Sequence, residues 1–368
     1  MALARTLYLT LDDGYLTSSD TARIVASTGQ TMDHLGFVLL PEFPIYALIP
    51  ALEALRVANQ SAGRRLYTWQ ILSLDGAPVR AGSGMTMSPD AGIDGVTTPP
   101  SMVIVCAGNR PTQHITRPLL LWLQRVARCG AALGAIDTGV FTLAAAGLLD
   151  GYRVTLHWEA IPVFREQYPD IEVLEQLLVV DRNRLTCAGG MAALDMMLDL
   201  IARRHGYALA QVVANGFVHE GPRRDDERQR RVPTETGAAD RASMLGVIRT
   251  MEAHLDTPLS PPQLAARNGL SVRQLERLVR RRLNDSPIRY YLKVRLQAAR
   301  HLLFYSDRTV QDIALACGFS SPEIFSRCFR AQFGRSPRDF RREFTGDRLQ
   351  RFRPEIGQRL SPVEPPIE

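Results

Sequence analysis

Apolar residues follow two alternating patterns along the first half of the chain. Phe37–Leu40, Trp69–Leu74, Met102–Ala107 and Ala132–Ile136 are short apolar runs, as expected of parallel strands buried on both faces. Between and after them, Ala47–Gln60, Pro118–Cys129, Val140–Leu149 and Met191–His205 repeat apolar residues every three or four positions, as helices with one buried face do. Strand and helix alternate, which predicts an α/β domain over 35–220 with a parallel sheet flanked by helices. Residues 1–34 keep no such period and read as a tail. Gly221–Asp240 is a dense charge run with Pro and Gly, and it reads as a linker. From 241 to 345 the pattern is helical throughout: Met244–Leu255, Pro261–Asn268, Ser271–Leu283, Ile288–Phe304, Val310–Ala316, Pro322–Phe333 and Pro337–Phe344. The Pro-rich segment 346–368 reads as a second tail.

A length of 368 residues fits two cores better than one. No window approaches the roughly 18 uninterrupted apolar residues of a membrane helix, and the first twenty residues place acids where a signal peptide keeps its hydrophobic region. The expected location is the cytoplasm, away from membrane. Five scattered cysteines without metal-ligand spacing imply reduced, mostly buried thiols and no metal site. Six of the seven histidines, His34, His114, His205, His219, His254 and His301, likewise have no ligand spacing. Net charge is more informative. Residues 221–368 hold 28 basic and 18 acidic side chains, a balance of +10, whereas residues 1–220 balance to −4. The C-terminal part is therefore expected to meet a polyanion.

That part contains a repeat. Leu264–Ser271 matches Ile313–Ser320, and Arg277–Pro287 matches Arg327–Pro337. Each copy reads as helix, tight turn at Gly269 or Gly318, Ser cap at 271 or 320, and second helix, which is helix-turn-helix grammar. In the first copy Val272, Leu275, Leu278, Val279 and Leu283 should point inward, leaving Arg273, Gln274, Arg277, Arg280 and Arg281 outside. In the second, Phe325, Cys328, Phe329 and Phe333 should pack, leaving Ser321, Glu323, Ser326, Arg327 and Arg330 for DNA. Arg suits guanine edges, Gln adenine, and Glu can accept from cytosine. The helix between the copies, about 25 Å long, could set two reading helices on successive major grooves. The segment 241–344 resembles the AraC/XylS signature. That resemblance implies a seven-helix domain that binds double-stranded promoter DNA and works with RNA polymerase.

In the first half, Leu133–Gly151 runs from a strand through Asp137-Thr138-Gly139 straight into a helix, as a nucleophile elbow does. Together with His157, Trp158 and the surrounding segments it resembles the PfpI/class I glutamine-amidotransferase-like superfamily, with a flavodoxin-like sheet. More narrowly, it resembles regulators that fuse such a domain to an AraC-type one. In the enzymes of that superfamily the elbow residue is Cys, a His follows about twenty residues later, and a Glu follows the first strand. Here those positions fall on Asp137, His157 and Tyr46. Lacking a thiolate at the elbow, the site is expected to have no catalytic residues and no cofactor. It can still be a pocket: Asp137 as one fixed negative charge, with His157, Trp158 and Tyr46 beside it and Asn109 holding a carboxylate, suits a cationic effector. Equally, Asp137 can serve only as a helix cap and Trp158 as core. The resemblance implies a small nitrogen metabolite as effector, of the class of arginine, glycine betaine or carnitine, and a homodimer that activates a catabolic operon. Two other readings stay open: an amidase- or hydratase-like enzyme using Cys106 or Cys187, and an architectural DNA-binding protein.

Overall fold

A computed structural model describes residues 9–11, 14–16, 32–97, 99–221, 223, 227, 229 and 238–345. The chain divides into two compact units, Met1–Thr236 and Gly237–Glu368. In the first, β1 (Asp33–Leu39), α1 (Ile45–Ala62), β2 (Tyr67–Ser73), β3 (Ala91–Gly92), β4 (Met102–Ala107), α2 (Arg117–Arg128), β5 (Ala132–Asp137), α3 (Val140–Ala145), α4 (Ile161–Gln167), β6 (Leu178–Asp181), β7 (Arg184–Cys187), α5 (Ala192–His205) and α6 (Tyr207–Gly216) follow one another. Their seven-stranded sheet has the order β6-β7-β5-β4-β1-β2-β3 and is parallel except where β6 pairs antiparallel with β7.

Side chains alternate between the faces of a strand, so each central strand fills two cores. Phe37, Leu39, Ile104, Cys106, Ile136 and Cys187 face α1, α5 and α6, while Val38, Val103, Val105, Leu133 and Ala135 fill the opposite side. Both sets are buried, which is why the sequence shows continuous apolar runs rather than alternation. Phe37 is fully buried, and its truncation to Ala would cost about 3–5 kcal/mol. The first strand, β1, neighbours both β2 and β4, so chain order reverses there. Crevices at the carboxyl ends of strands beside such a reversal are where open α/β sheets hold ligands.

Three boundaries differ from the sequence expectation. Asp33 and His34, expected in the tail, are strand, because their backbone pairs with Tyr67 and Thr68. The helix expected to reach Leu149 stops at Ala145, and Gly147 takes a left-handed φ of 66°. Ala238, expected in the linker, already begins a helix. Within the linker stretch, Arg223 donates to the fully buried Asp195 carboxylate at 2.6 Å, and Gln229 Nε2 donates to Leu156 O at 2.8 Å and Gln176 O at 2.9 Å.

The second unit is helical: α7 (Ala238–Glu252), α8 (Pro261–Arg267), α9 (Val272–Leu283), α10 (Pro287–Tyr305), α11 (Val310–Ala316), α12 (Pro322–Phe333) and α13 (Pro337–Thr345). It has two separate small cores. One gathers Met244, Val247, Leu264, Leu275, Val279 and Tyr291; the other gathers Leu296, Leu303, Ile313, Phe319, Phe325 and Phe329. Helix α10 enters the first with its N-terminal half and the second with its C-terminal half. No described helix is long and apolar enough to cross a membrane.

Candidate functional site

Each repeat folds as helix, turn, helix. Helix α8 ends with Gly269 at φ 65° and a Leu270 N–H to Ala265 O bond of 3.0 Å; α11 ends with Gly318 at φ 70° and a Phe319 N–H to Ala314 O bond of 2.9 Å. Glycine in the left-handed region closes the helix and satisfies carbonyls that would otherwise lack partners. Ser271 caps α9, its Oγ accepting from Gln274 N–H at 3.3 Å, while Gln274 Oε1 accepts from Ser271 N–H at 2.8 Å. The second cap is Ser321, whose Oγ accepts from Ile324 N–H at 3.3 Å, and not the expected Ser320. Pro322 is the first residue of α12, which moves the cap to the residue before it.

On α9, Leu275 and Val279 are buried, Leu278 and Leu283 half-buried, and Arg273, Gln274, Arg277, Arg280 and Arg281 exposed. Val272, expected inside, is 37% exposed, because the first turn of α9 stands clear of the core. On α12, Phe325 and Phe329 are buried in an aromatic stack with Phe319 and Phe333, while Cys328 packs beside them half-buried. Glu323, Arg327 and Arg330 are exposed, and Ser321 and Ser326 half-buried. Ser326, Arg327, Arg330 and Ala331 line a groove. The Ser321 hydroxyl holds the Glu323 carboxyl below the usual range, so it is a charged acceptor. Two short helices thus present guanidinium, carboxamide and carboxylate groups from rigid, capped supports, which is the chemistry needed to read base edges.

In the first unit, β5 ends at Asp137, whose φ of 61° lies in the left-handed region that non-glycine residues rarely occupy. The turn is held by Thr138, which donates through N–H to Ala107 O at 3.2 Å and through Oγ1 to Gly108 O at 2.5 Å. Only a glycine fits opposite: a Cβ on Gly189 would lie 2.8 Å from the Asp137 carboxylate. At Gly190 the same construction meets Tyr46 at 3.5 Å, so the Gly189-Gly190 turn links the two side chains. Asp137 is buried, and desolvation, followed by the nearby charge of Glu159, pushes its carboxyl well above the usual range. Burial therefore works against the fixed negative charge expected of Asp137 unless a cation lies beside it. Tyr46 is exposed by 60%, and partial burial, Asp137 and Glu159 raise its phenol.

His157 and Trp158 are both half-buried, with ring centroids 5.8 Å apart. Asn109 is also half-buried, two residues beyond Ala107, the strand partner of Asp137, with its amide nitrogen close to Gly82. Cys106 and Cys187 flank Ile136 in the sheet and are fully buried. Burial raises Cys106 well above an ordinary thiol and pushes Cys187 up to about 12. The five cysteines are all free, and Cys129 is exposed. Among the described residues no group of His, Cys, Asp and Glu is arranged to hold a metal.

Two family descriptions match this chain: "Helix-turn-helix domain" over 264–343 and "DJ-1/PfpI family" over 46–203. The HTH-type transcriptional regulator CdhR of Pseudomonas aeruginosa is 45% identical over 82% of this chain and 89% of its own length. GbdR, an HTH-type transcriptional regulator from the same species, is 42% identical over 83% of each chain. The chain belongs to the AraC-type helix-turn-helix regulators that carry a DJ-1/PfpI domain. GlxA of Rhizobium meliloti, 35% identical over 86% of this chain and 98% of its own, is a further HTH-type transcriptional regulator of this kind. This regulator is a DNA-binding transcription factor, and its elbow residue is Asp.

Sequence reading missed Glu159, whose charge acts on both Asp137 and Tyr46. The available signal was an acid two residues after His157. It was too weak to use without knowing that the segment folds back onto the elbow.

Proposed function

We propose that the regulator binds promoter DNA through Arg273, Gln274, Arg277, Arg280 and Arg281 of α9 and Ser321, Glu323, Ser326, Arg327 and Arg330 at α12. It senses a small cationic nitrogen metabolite at Asp137. The observation that carries the sensor reading is Asp137 itself: a buried carboxyl in a left-handed conformation, at the carboxyl end of the sheet, with the charge of Glu159 acting on it and Asp137 in turn acting on Tyr46. A strained, desolvated acid is a costly feature that the fold nonetheless holds in place. A cation brought between Asp137 and Glu159 would let Asp137 ionise, so binding releases a proton and tightens as pH rises. His157, Trp158, Tyr46 and Asn109 complete the pocket in this reading. The site carries out no catalysis: the elbow has no thiol, and the deeply buried Cys106 and Cys187 strongly resist becoming thiolates. Gln229 bonds the residue just before His157, which ties the linker stretch to the pocket segment. In this reading the regulator acts as a homodimer that activates a catabolic operon by engaging RNA polymerase.

The test is a thermal-shift screen of the full chain against arginine, glycine betaine, carnitine, choline and neutral analogues, repeated on Asp137→Asn. A ligand at a hundred times its Kd raises stability by about 2.7 kcal/mol, which such a screen detects. The expected result is a shift with a cation that the variant loses; a shift equal in both proteins moves the site elsewhere. The ligand-free proteins supply a second check. Folded Asp137 holds its proton to higher pH than the unfolded chain does. Between the ordinary carboxylate range and the raised value, rising pH therefore favours unfolding of the parent. The Tm of Asp137→Asn relative to the parent should climb as pH rises above about 4. A difference independent of pH would show that Asp137 keeps an ordinary pKa.

A further inference from the structure

The two small cores of the helical unit share only α10, and a helix gripped by two separate apolar clusters leaves them free to swivel unless something ties them. Polar groups supply the ties. Tyr291, buried on α10, donates its hydroxyl to His254 O at 2.7 Å, and the same hydroxyl oxygen accepts from the Leu259 N–H at 3.5 Å. It thereby holds the segment leading into α8. One turn further along, Arg295 donates from Nε to Cys317 O at 2.7 Å and from Nη2 to Gly318 O at 2.6 Å. Its guanidinium also lies over the Phe319 ring, 4.3 Å from the centroid. Arg295 thus grips the turn of the second repeat at the carbonyls left open where α11 ends. The two gripped segments touch each other. A Cβ built on Gly318 would lie 2.5 Å from Leu255 O and 2.7 Å from the Pro258 ring.

We infer that Tyr291 and Arg295 form a positioning pair that sets the separation of α9 and α12, so that the regulator measures the distance between two groove sites as well as their sequences. One added base pair shifts the second site by about 3.4 Å and turns it by roughly 35°. Two reading helices locked to α10 cannot follow that change; two that swivel can. Arg295 does this without contacting DNA, because its Nε and Nη2 and its ring face are already engaged within the domain.

The full chain is first used to select its preferred duplex from a randomised library. Binding is then measured by anisotropy to that duplex and to versions with one base pair inserted or deleted between the two read segments. The parent should lose about tenfold or more on either change. Arg295→Leu should bind the three duplexes with little difference, and Arg295→Lys, a point charge that cannot span both carbonyls, should fall between. Salt dependence separates this from a phosphate contact. The inference requires an unchanged slope for Arg295→Leu; a slope lower by about one with spacing discrimination intact overturns it. If Arg295→Leu loses its helical circular dichroism, Tyr291→Phe, which removes one hydroxyl from the other end of the junction, decides: relaxed spacing supports the pair, and parent-like spacing overturns it. A parent indifferent to the inserted base pair overturns it as well.

Discussion

The two helix-turn-helix units share a sequence pattern, yet their turns sit in different surroundings. Around Gly269 nothing lies within 4 Å of where a side chain would begin, whereas at Gly318 the same point is blocked by the Leu255 carbonyl and the Pro258 ring. Both glycines are demanded by a left-handed φ, but only the second is also demanded by packing. A repeated motif can therefore be locally equivalent and globally unequal. The first turn closes a helix, while the second also forms the joint between the two units.

The largest expected effect comes from testing that inequality directly. Gly318→Ala combines left-handed strain with a backbone collision and should cost about 3 kcal/mol, against about 1 kcal/mol for Gly269→Ala, read from denaturant midpoints. Equal costs would mean that the joint relaxes freely. Next come the exposed arginines of α9 and α12. Arg277→Ala and Arg327→Ala should each weaken operator binding by about 1–3 kcal/mol if they read bases, with unequal losses if one unit dominates recognition. Titrations on the selected duplex at two salt concentrations distinguish base contacts from phosphate contacts. The smallest effects belong to the caps. Ser271→Ala and Ser321→Ala should each cost about 1 kcal/mol or less. A much larger loss at Ser321 would show that its bond to Glu323 also orders α12, and a Ser321→Asn variant that keeps a capping oxygen would confirm it.

A third left-handed turn sharpens the contrast. At the elbow the conformation falls on Asp137 and not on a glycine, and the relief needed is supplied opposite, by Gly189. At the two helix-turn-helix turns strain is avoided by composition; at the elbow it is kept.

Much of this was legible in the chain. Apolar runs bounded by helical periods located β4, β5 and α5 nearly to the residue, since a strand buried on both faces admits no polar alternation. The repeat and its glycines located both turns, because few residues other than glycine tolerate that backbone. Asp137 was legible as an elbow, but its charge state was not. Protonation depends on what surrounds a carboxyl, and Glu159 and Gly189 reach it from distant segments. Ser320 was preferred to Ser321 as a cap because aligning the repeat ignores the residue inserted in the second turn.

By itself, then, the sequence determined the local choices: which segments are strand or helix, where the turns fall, and which faces are basic. Those depend on backbone sterics and on periodicity, which neighbours in the chain supply. Only the tertiary structure decided the desolvation of Asp137, the burial of Cys106 and Cys187, and the grip of Arg295 on the second turn. Each of those depends on desolvation and hydrogen bonding between residues far apart along the chain, and no pattern within one segment records them.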